Sequence, residues 1–317
     1  MLDLCCFGFL SAVSVLRVLR YPSPEAGSEI LDLFEAVGAD APIVALLAAR
    51  FGLRTGLVCN PVGTDGAGRF LEGRLGRGGI STNMRCSPAS RTPQTFIVAD
   101  EAPTRTWFSF LPGVAQSLRE ADLSLMDGSR LVYLDCYHLI RAASLRFLER
   151  ARELGLPVFV NLDGEALHED VAAALRSKPI TVLQTSFDPA ATDDPTEAIQ
   201  RLAERTGAEL TILTLGSEGC LSLKDGQTTA WPAFPVEVSH THGAGAAFSA
   251  GIALGLLKNW PIDEVVPFAC AAGSLFCTVR DGYDVLTEEA VKQSIGDYSA
   301  RLARERGFPH SGGNVAE

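Results

Sequence analysis

The sequence predicts an α/β fold: a parallel sheet with helices on both faces and a small β appendage. Three observations carry this. Apolar runs of strand length alternate with segments of helical period, Gly-rich turns mark the changeovers, and one β-branched and aromatic stretch breaks the alternation. In chain order, residues 2–9 read as a buried first strand and 57–60 as a second, followed by a Gly-rich turn and an amphipathic stretch over 66–75. Residues 131–135 read as a strand leading into a helix over 141–154, whose Leu145, Leu148, Ala151 and Leu154 share one face. Then come a strand over 157–163, a short helix over 169–177, a strand over 181–186, a helix over 196–206 and a strand over 209–216. Residues 94–99 and 105–110 read as a hairpin around 100–104, and the region 13–31 supplies further strands to the same small sheet. No linker composition appears, so residues 1–317 read as a single domain, with a loose tail over 305–317 that holds Pro, adjacent Gly and no apolar period.

Composition narrows the function. With 47 % apolar and 21 % charged residues, the 317-residue chain has material for a core and too little charge for general disorder. Its 30 glycines and 17 prolines suit many short turns. A formal net charge of −11 excludes nucleic acid and anionic membrane as expected partners. Asp3 stands where a signal peptide would carry positive charge, and the first apolar run is too short to span a bilayer. The eight cysteines form no C-x-x-C pair and have no histidine at zinc-ligand spacing. Buried thiols in a reducing cytoplasm are therefore expected, with Cys270 and Cys277 on one helical face as core packing.

The densest signal is His240-Thr241-His242-Gly243-Ala244-Gly245-Ala246, which follows a strand-like stretch and opens an apolar helix. Glycines at a helix start let backbone N–H groups converge on an anion, and the helix dipole adds to the field. By chemistry alone this is a phosphate or carboxylate cradle, or else a small-residue seam for close helix–sheet packing.

The segment resembles the C-terminal signature of the ribokinase-like (PfkB) sugar kinases, Asp-Thr-x-Gly-Ala-Gly-Asp. Further matches fall in order. Pro24-Glu25-Ala26-Gly27 resembles an early lid segment, and Gly63-Thr64-Asp65-Gly66-Ala67-Gly68 the family's Gly-x-Asp-x-x-Gly turn, with Gly79-Ile80 at the place of Gly-Val. Arg105-Thr106-Trp107-Phe108 is similar to a lid strand. Thr214-Leu215-Gly216-Ser217-Glu218-Gly219 resembles the nucleotide-side Thr-Leu-Gly-x-x-Gly, and Ala271-Ala272-Gly273 through Gly282 the last helix and the loop around adenine. The resemblance implies a ribokinase-like sandwich with a β-sheet lid over about 10–36 and 91–113, ATP and Mg²⁺ as cofactors, and a homodimer through the lid.

The departures are as informative. The family's general base falls on Ala246 and the signature's first Asp on His240. Its magnesium-organising Asn-x-x-Glu falls on Ser186-Phe187-Asp188-Pro189, and its Gly-Gly…Asn sugar segment on Gly38-Ala39-Asp40-Ala41-Pro42-Ile43. The early sugar-binding Asp falls near Ala12 or Val13. The resemblance thus assigns Gly243, Ala244, Gly245, Thr214, Gly216 and Gly219 to anion or nucleotide binding, and Gly38, Asp40 and Arg105 to the substrate side, while use of ATP and Mg²⁺ is in doubt. Candidate acid–base groups are His240, His242, Asp135, His138 and Asp163, each with a structural alternative as turn filler or strand-end residue. Glu165, His168, Glu169 and Asp170 read as helix-dipole partners rather than a metal cluster, so no metal ligands are assigned. Three readings stand: a family member that binds a phosphorylated or nucleotide-like small molecule but transfers phosphate poorly, an enzyme repurposed for dehydration, isomerisation or cyclisation, and an active kinase with a displaced base.

Overall fold

The computed structural model describes residues 1–100, 105–190, 194–280 and 282–306, with backbone alone for Arg105 and residues 301–306. The elements are β1 (Leu4–Phe7), β2 (Ser11–Val18), β3 (Ile30–Gly38), α1 (Asp40–Arg50), β4 (Thr55–Val58), α2 (Gly66–Arg77), β5 (Ser81–Thr82), β6 (Gln94–Ala99), β7 (Arg105–Phe110), α3 (Val114–Arg119), β8 (Leu131–Asp135) and α4 (Arg141–Glu153). There follow β9 (Val158–Asn161), α5 (Glu169–Ser177), β10 (Val182–Ser186), α6 (Pro195–Thr206), β11 (Leu210–Thr214), β12 (Cys220–Lys224), β13 (Gln227–Trp231), α7 (Ala244–Leu257), α8 (Ile262–Phe276) and α9 (Glu288–Arg306).

The large sheet runs β13-β12-β11-β10-β9-β8-β1-β4-β5. Neighbours from β11 to β5 are parallel, as expected, and β12 and β13 extend the sheet as an antiparallel edge. The period-2 alternation of each strand divides the core in two. Leu4, Cys6, Leu131 and Tyr133 join α1, α7 and α8 on one face, and Cys5, Phe7, Val132 and Leu134 join α3 and α4 on the other. β1 is shorter than the expected 2–9. β9 ends at Asn161, so Asp163 lies beyond the strand in a left-handed turn with φ 48°. Seven cysteines are buried, but Cys86 is exposed, against the expectation for that thiol. The hairpin tip over 101–104 and the tail from 307 lie outside the described residues. No described helix is long and apolar enough to cross a membrane.

The small sheet runs β3-β2-β6-β7 and has its own core of Val13, Val15, Ala36 and Ile97 with Phe34. This face looks toward the mouth of the large sheet. Phe34 lies against His240 with ring centroids 5.9 Å apart and the planes tilted by 54°, and Asp32 pairs with Arg280 at 2.7 Å. Trp107 shares the face through its pairing with Ile97 and remains 61 % exposed. The opposite face exposes Leu33, Phe96, Phe108 and Phe110.

Candidate functional site

In α/β sheets of this kind, ligands lie outside the carboxyl ends of the strands. Here the ends of β1, β8, β9 and β10 meet the N-termini of α1 and α7. Gly243 precedes α7 with φ 80°, a conformation that favours glycine. A Cβ there would lie 2.7 Å from Phe276 Cε1 and 3.4 Å from Ile43 Cδ1. No side chain caps α7, and the space beside Gly245 is open. The first N–H groups of this 14-residue helix are left without a capping side chain, an arrangement that suits an anion. Ala246, the next residue, is 0 % exposed and packs into the main core, so no side chain reaches from it into the cradle. One turn on, Ser249 Oγ donates to Gln184 Oε1 at 3.0 Å, anchoring α7 to β10.

The two histidines of the motif brace the loop. His240 Nε2 donates to the Val279 carbonyl at 2.7 Å, and its ring lies between Phe34 and Phe276. His242 Nε2 donates to the Val37 carbonyl at 2.9 Å, tying the cradle to the end of β3. Their contacts are those of braces joining the cradle to the lid and to the loop after α8. Beside His240, a cavity of about 640 Å³ is lined by Phe234, Leu275, Val279, Val285 and Tyr298 among others.

On the strand-end side, Thr214 closes β11, and its Oγ1 donates to Ser186 Oγ at 3.2 Å. Gly216 is exposed, whereas Gly219 is buried with φ 102°, and a Cβ there would lie 2.0 Å from the Trp231 carbonyl oxygen. Close packing against β13 is what requires glycine at 219. Asp188 accepts the Ala190 N–H at 2.9 Å, and Pro189 carries no ligating atom.

Gly38 ends β3, and Asp40 heads α1. Asn161 Nδ2 donates to Asp40 Oδ2 at 2.7 Å, and the Asp40 N–H donates to Tyr137 Oη at 3.3 Å. Asp135 is 0 % exposed, and its Oδ2 accepts the Ala41 N–H at 2.8 Å. Burial pushes the Asp135 carboxyl well up, and the nearby Asp40 and then Asp163 carboxylates push it further. Burial thus favours the protonated form of the carboxyl that holds the first turn of α1. Tyr137 is pushed up for the same reasons, burial first and then the carboxylates of Asp135, Asp40 and Asp163. The side chain of Arg105 lies outside the described residues.

His138 stands apart from this group. Its Nδ1 lies 3.3 Å from His168 Nε2, and its backbone N–H donates to Glu165. Glu169 pairs with Arg205, and Asp170 with Arg141 at 3.3 Å. Among the described residues no group of three or more His, Cys, Asp or Glu side chains is arranged to hold a metal ion. Sequence reasoning missed Asn161, which links Asp40 and Asp163. Its signal was present: a polar residue at the last strand position, two before a candidate.

Ala39 sits at φ 68°, ψ 158°, a region that only glycine occupies without strain. Ala39→Gly is expected to stabilise the protein by about 1 kcal/mol, relief of strain exceeding the entropy that glycine adds to the unfolded chain. A denaturant midpoint unchanged or lowered would contradict this.

Comparison with known proteins gives consistent matches. A family model described as pfkB family carbohydrate kinase matches residues 38–289. A 5-dehydro-2-deoxygluconokinase of Geobacillus thermodenitrificans is 26 % identical over 84 % of this chain and 86 % of its own. A fructokinase of Klebsiella pneumoniae is 27 % identical over 75 % and 82 %. Among solved structures, the ribokinase of Thermotoga maritima superposes with a TM-score of 0.76 at 19 % identity, covering 93 % of this chain and 100 % of that one. Arabidopsis thaliana ribokinase, solved with ribose and ATP, gives 0.71 at 18 % identity, covering 93 % and 98 %.

Proposed function

On the premise that this chain belongs to the pfkB family of carbohydrate kinases, we propose that it binds an adenine nucleotide and a small hydroxylated molecule but transfers phosphate poorly. The carrying observation is the pairing of an uncapped helix start, open beside Gly245, with a buried alanine at 246. The cradle suits phosphates, and the cavity of about 640 Å³ beside His240 offers Phe234, Leu275 and Val279 to a purine. ATP, when bound, would supply the transferable phosphoryl group. This chain's own residues would do the holding: N–H groups at the head of α7 for phosphates, Thr214 and Gly216 at their flank. A magnesium-organising set fits less well, because Ser186 and Pro189 offer neither the amide nor the carboxylate of the two motif positions.

Phosphoryl transfer depends on positioning and charge neutralisation more than on covalent help. Loss of a base costs about 10²–10⁴ in rate, and loss of positioning groups adds to that. In calorimetry ATP is expected to bind, with little gain from added Mg²⁺, and a panel of sugars and nucleosides is expected to yield little ADP. Ala246→Asp should stay within tenfold of the parent, since Ser186, Pro189 and Ile43 remain. Absence of ATP binding, or robust ADP release by the parent, would overturn the reading.

The repurposed-enzyme reading is favoured by one specific observation, the meeting of Asp40, Asp135, Asn161 and Asp163 at the strand ends. A conversion that needs no ATP and is abolished by Asp163→Asn would establish it. The outward lid face of Leu33, Phe96, Phe108 and Phe110 supports pairing with a second copy, as the family resemblance implies. Burial of seven of the eight cysteines supports a reducing cytoplasmic setting.

A further inference from the structure

Two imidazoles from different loops meet on the α4–α5 side of the large sheet. His138 opens the short turn His138–Ile140 between β8 and α4, and His168 immediately precedes α5. His138 Nδ1 lies 3.3 Å from His168 Nε2, with ring centroids 5.2 Å apart. A shared proton accounts for this contact poorly. An N–H···N bond prefers to be straight and shorter, and two imidazoles joined straight at this separation would hold their centroids about 5.6 Å apart. One tetrahedral zinc ion, about 2.0–2.1 Å from each nitrogen, would hold the nitrogens about 3.3 Å and the centroids about 5.2 Å apart. Those are the separations found.

The backbones that carry the two rings are already fixed. The His138 N–H donates to Glu165, and the His168 carbonyl accepts the Ala172 N–H at 2.9 Å. The Gly164 N–H donates to Thr185 Oγ1 at 3.0 Å, which holds the turn between β9 and α5. Little ordering is therefore left for a bound ion to impose. Charge also favours a cation. Glu165, Glu169 and Asp170 face two guanidinium groups, Arg205 paired with Glu169 and Arg141 with Asp170, so one negative charge is in excess. The positive end of α5 opposes a cation, and Glu169 and Asp170 in its first turn offset it.

We propose that His138 Nδ1 and His168 Nε2 together bind a divalent transition-metal cation of the zinc class, with water in the remaining positions. Imidazole nitrogen selects such ions over magnesium, which prefers oxygen. When the ion enters, the imidazole carrying its proton on the facing nitrogen moves it to the other ring nitrogen, so a neutral pair becomes a ligand pair without net proton loss. Two protein ligands leave the site open, unlike the closed four-ligand set of a structural zinc. The ion would clamp the loop after β8 to the turn before α5. This site is separate from the nucleotide reading, and neither depends on the other.

The test is calorimetric titration of the metal-stripped, full-length protein with Zn²⁺ at about pH 7.5, where most imidazole is neutral, beside thermal melting in the same solutions. The parent is expected to bind Zn²⁺ and to melt at a higher temperature with it, and excess Mg²⁺ is expected not to displace it. His138 is exposed and His168 half-buried, so substitution at either should leave the fold intact. His138→Gln and His168→Gln should each weaken Zn²⁺ binding by about tenfold or more and remove the melting shift. Cys86→Ser removes the exposed thiol, the other soft ligand at the described surface, and should bind as the parent does. Absence of Zn²⁺ binding by the parent overturns the proposal. So does binding of parental strength in both histidine variants, or its loss in Cys86→Ser, since either would place the ion elsewhere.

Discussion

Gly243→Val is expected to weaken ATP binding by tenfold or more and to cost about 3 kcal/mol of stability. Two effects act together. At φ 80° a β-branched residue is strained. Its Cβ would also press on Phe276 Cε1 at 2.7 Å. Phe276 is itself held, in edge contact with both His240 and Tyr283. The head of α7 must then shift, and the N–H groups lose the convergence that makes them a cradle. Calorimetry and thermal melting on the same sample separate the two consequences. Wild-type affinity in a destabilised variant would place nucleotide binding elsewhere.

Asp3→Ala is expected to cost about 2 kcal/mol near neutral pH and to flatten the acid limb of the stability profile. Asp3 is nearly buried and accepts from Arg54 Nε and Nη2, each at 3.0 Å, from the Arg54 backbone N–H at 3.0 Å and from Arg130 Nη1 at 3.3 Å. It thereby joins the starts of three adjacent strands, β1, β4 and β8. Hydrogen bonding by Arg54 holds its carboxyl well below the usual carboxylate range. A carboxyl whose folded value lies below its unfolded value stabilises fully above about pH 4, and that contribution is lost as pH falls toward the folded value. Asp135 acts with the opposite sign. Its value is raised, so its contribution is present below about pH 4 and is lost as pH rises through the folded value. Urea midpoints between pH 2.5 and 7 check this. An acid limb equally steep in Asp3→Ala and the parent would show that other carboxylates govern it.

Much of the fold was legible because strand and helix periods are local. The alternation from β8 to β11 was read with ends only a few residues off. α1 escaped because Asp40–Arg50 is buried on nearly every side and shows no polar face to give contrast. The β12–β13 hairpin escaped although Asp225-Gly226 advertises a two-residue turn, both residues having positive φ. The histidines of the motif read as acid–base candidates because histidine invites that reading. Their carbonyl partners, Val279 and Val37, lie 39 and 205 residues away and leave no trace near them in the chain.

By itself the sequence determined the α/β layering, the small sheet, the glycines ahead of α7 and the lack of a carboxylate at 246 and 189, since each is a property of residue type at a local position. The tertiary structure alone decided that Asp40, Asp135, Asn161 and Asp163 share one flank of the site, and that His138 instead meets His168. Asn161 reaches Asp40 across 121 positions, and the Asp135 carboxyl reaches Ala41 across 94. Side chains so far apart are brought together by the register of parallel strands and the docking of α1 on the sheet, which no local period encodes.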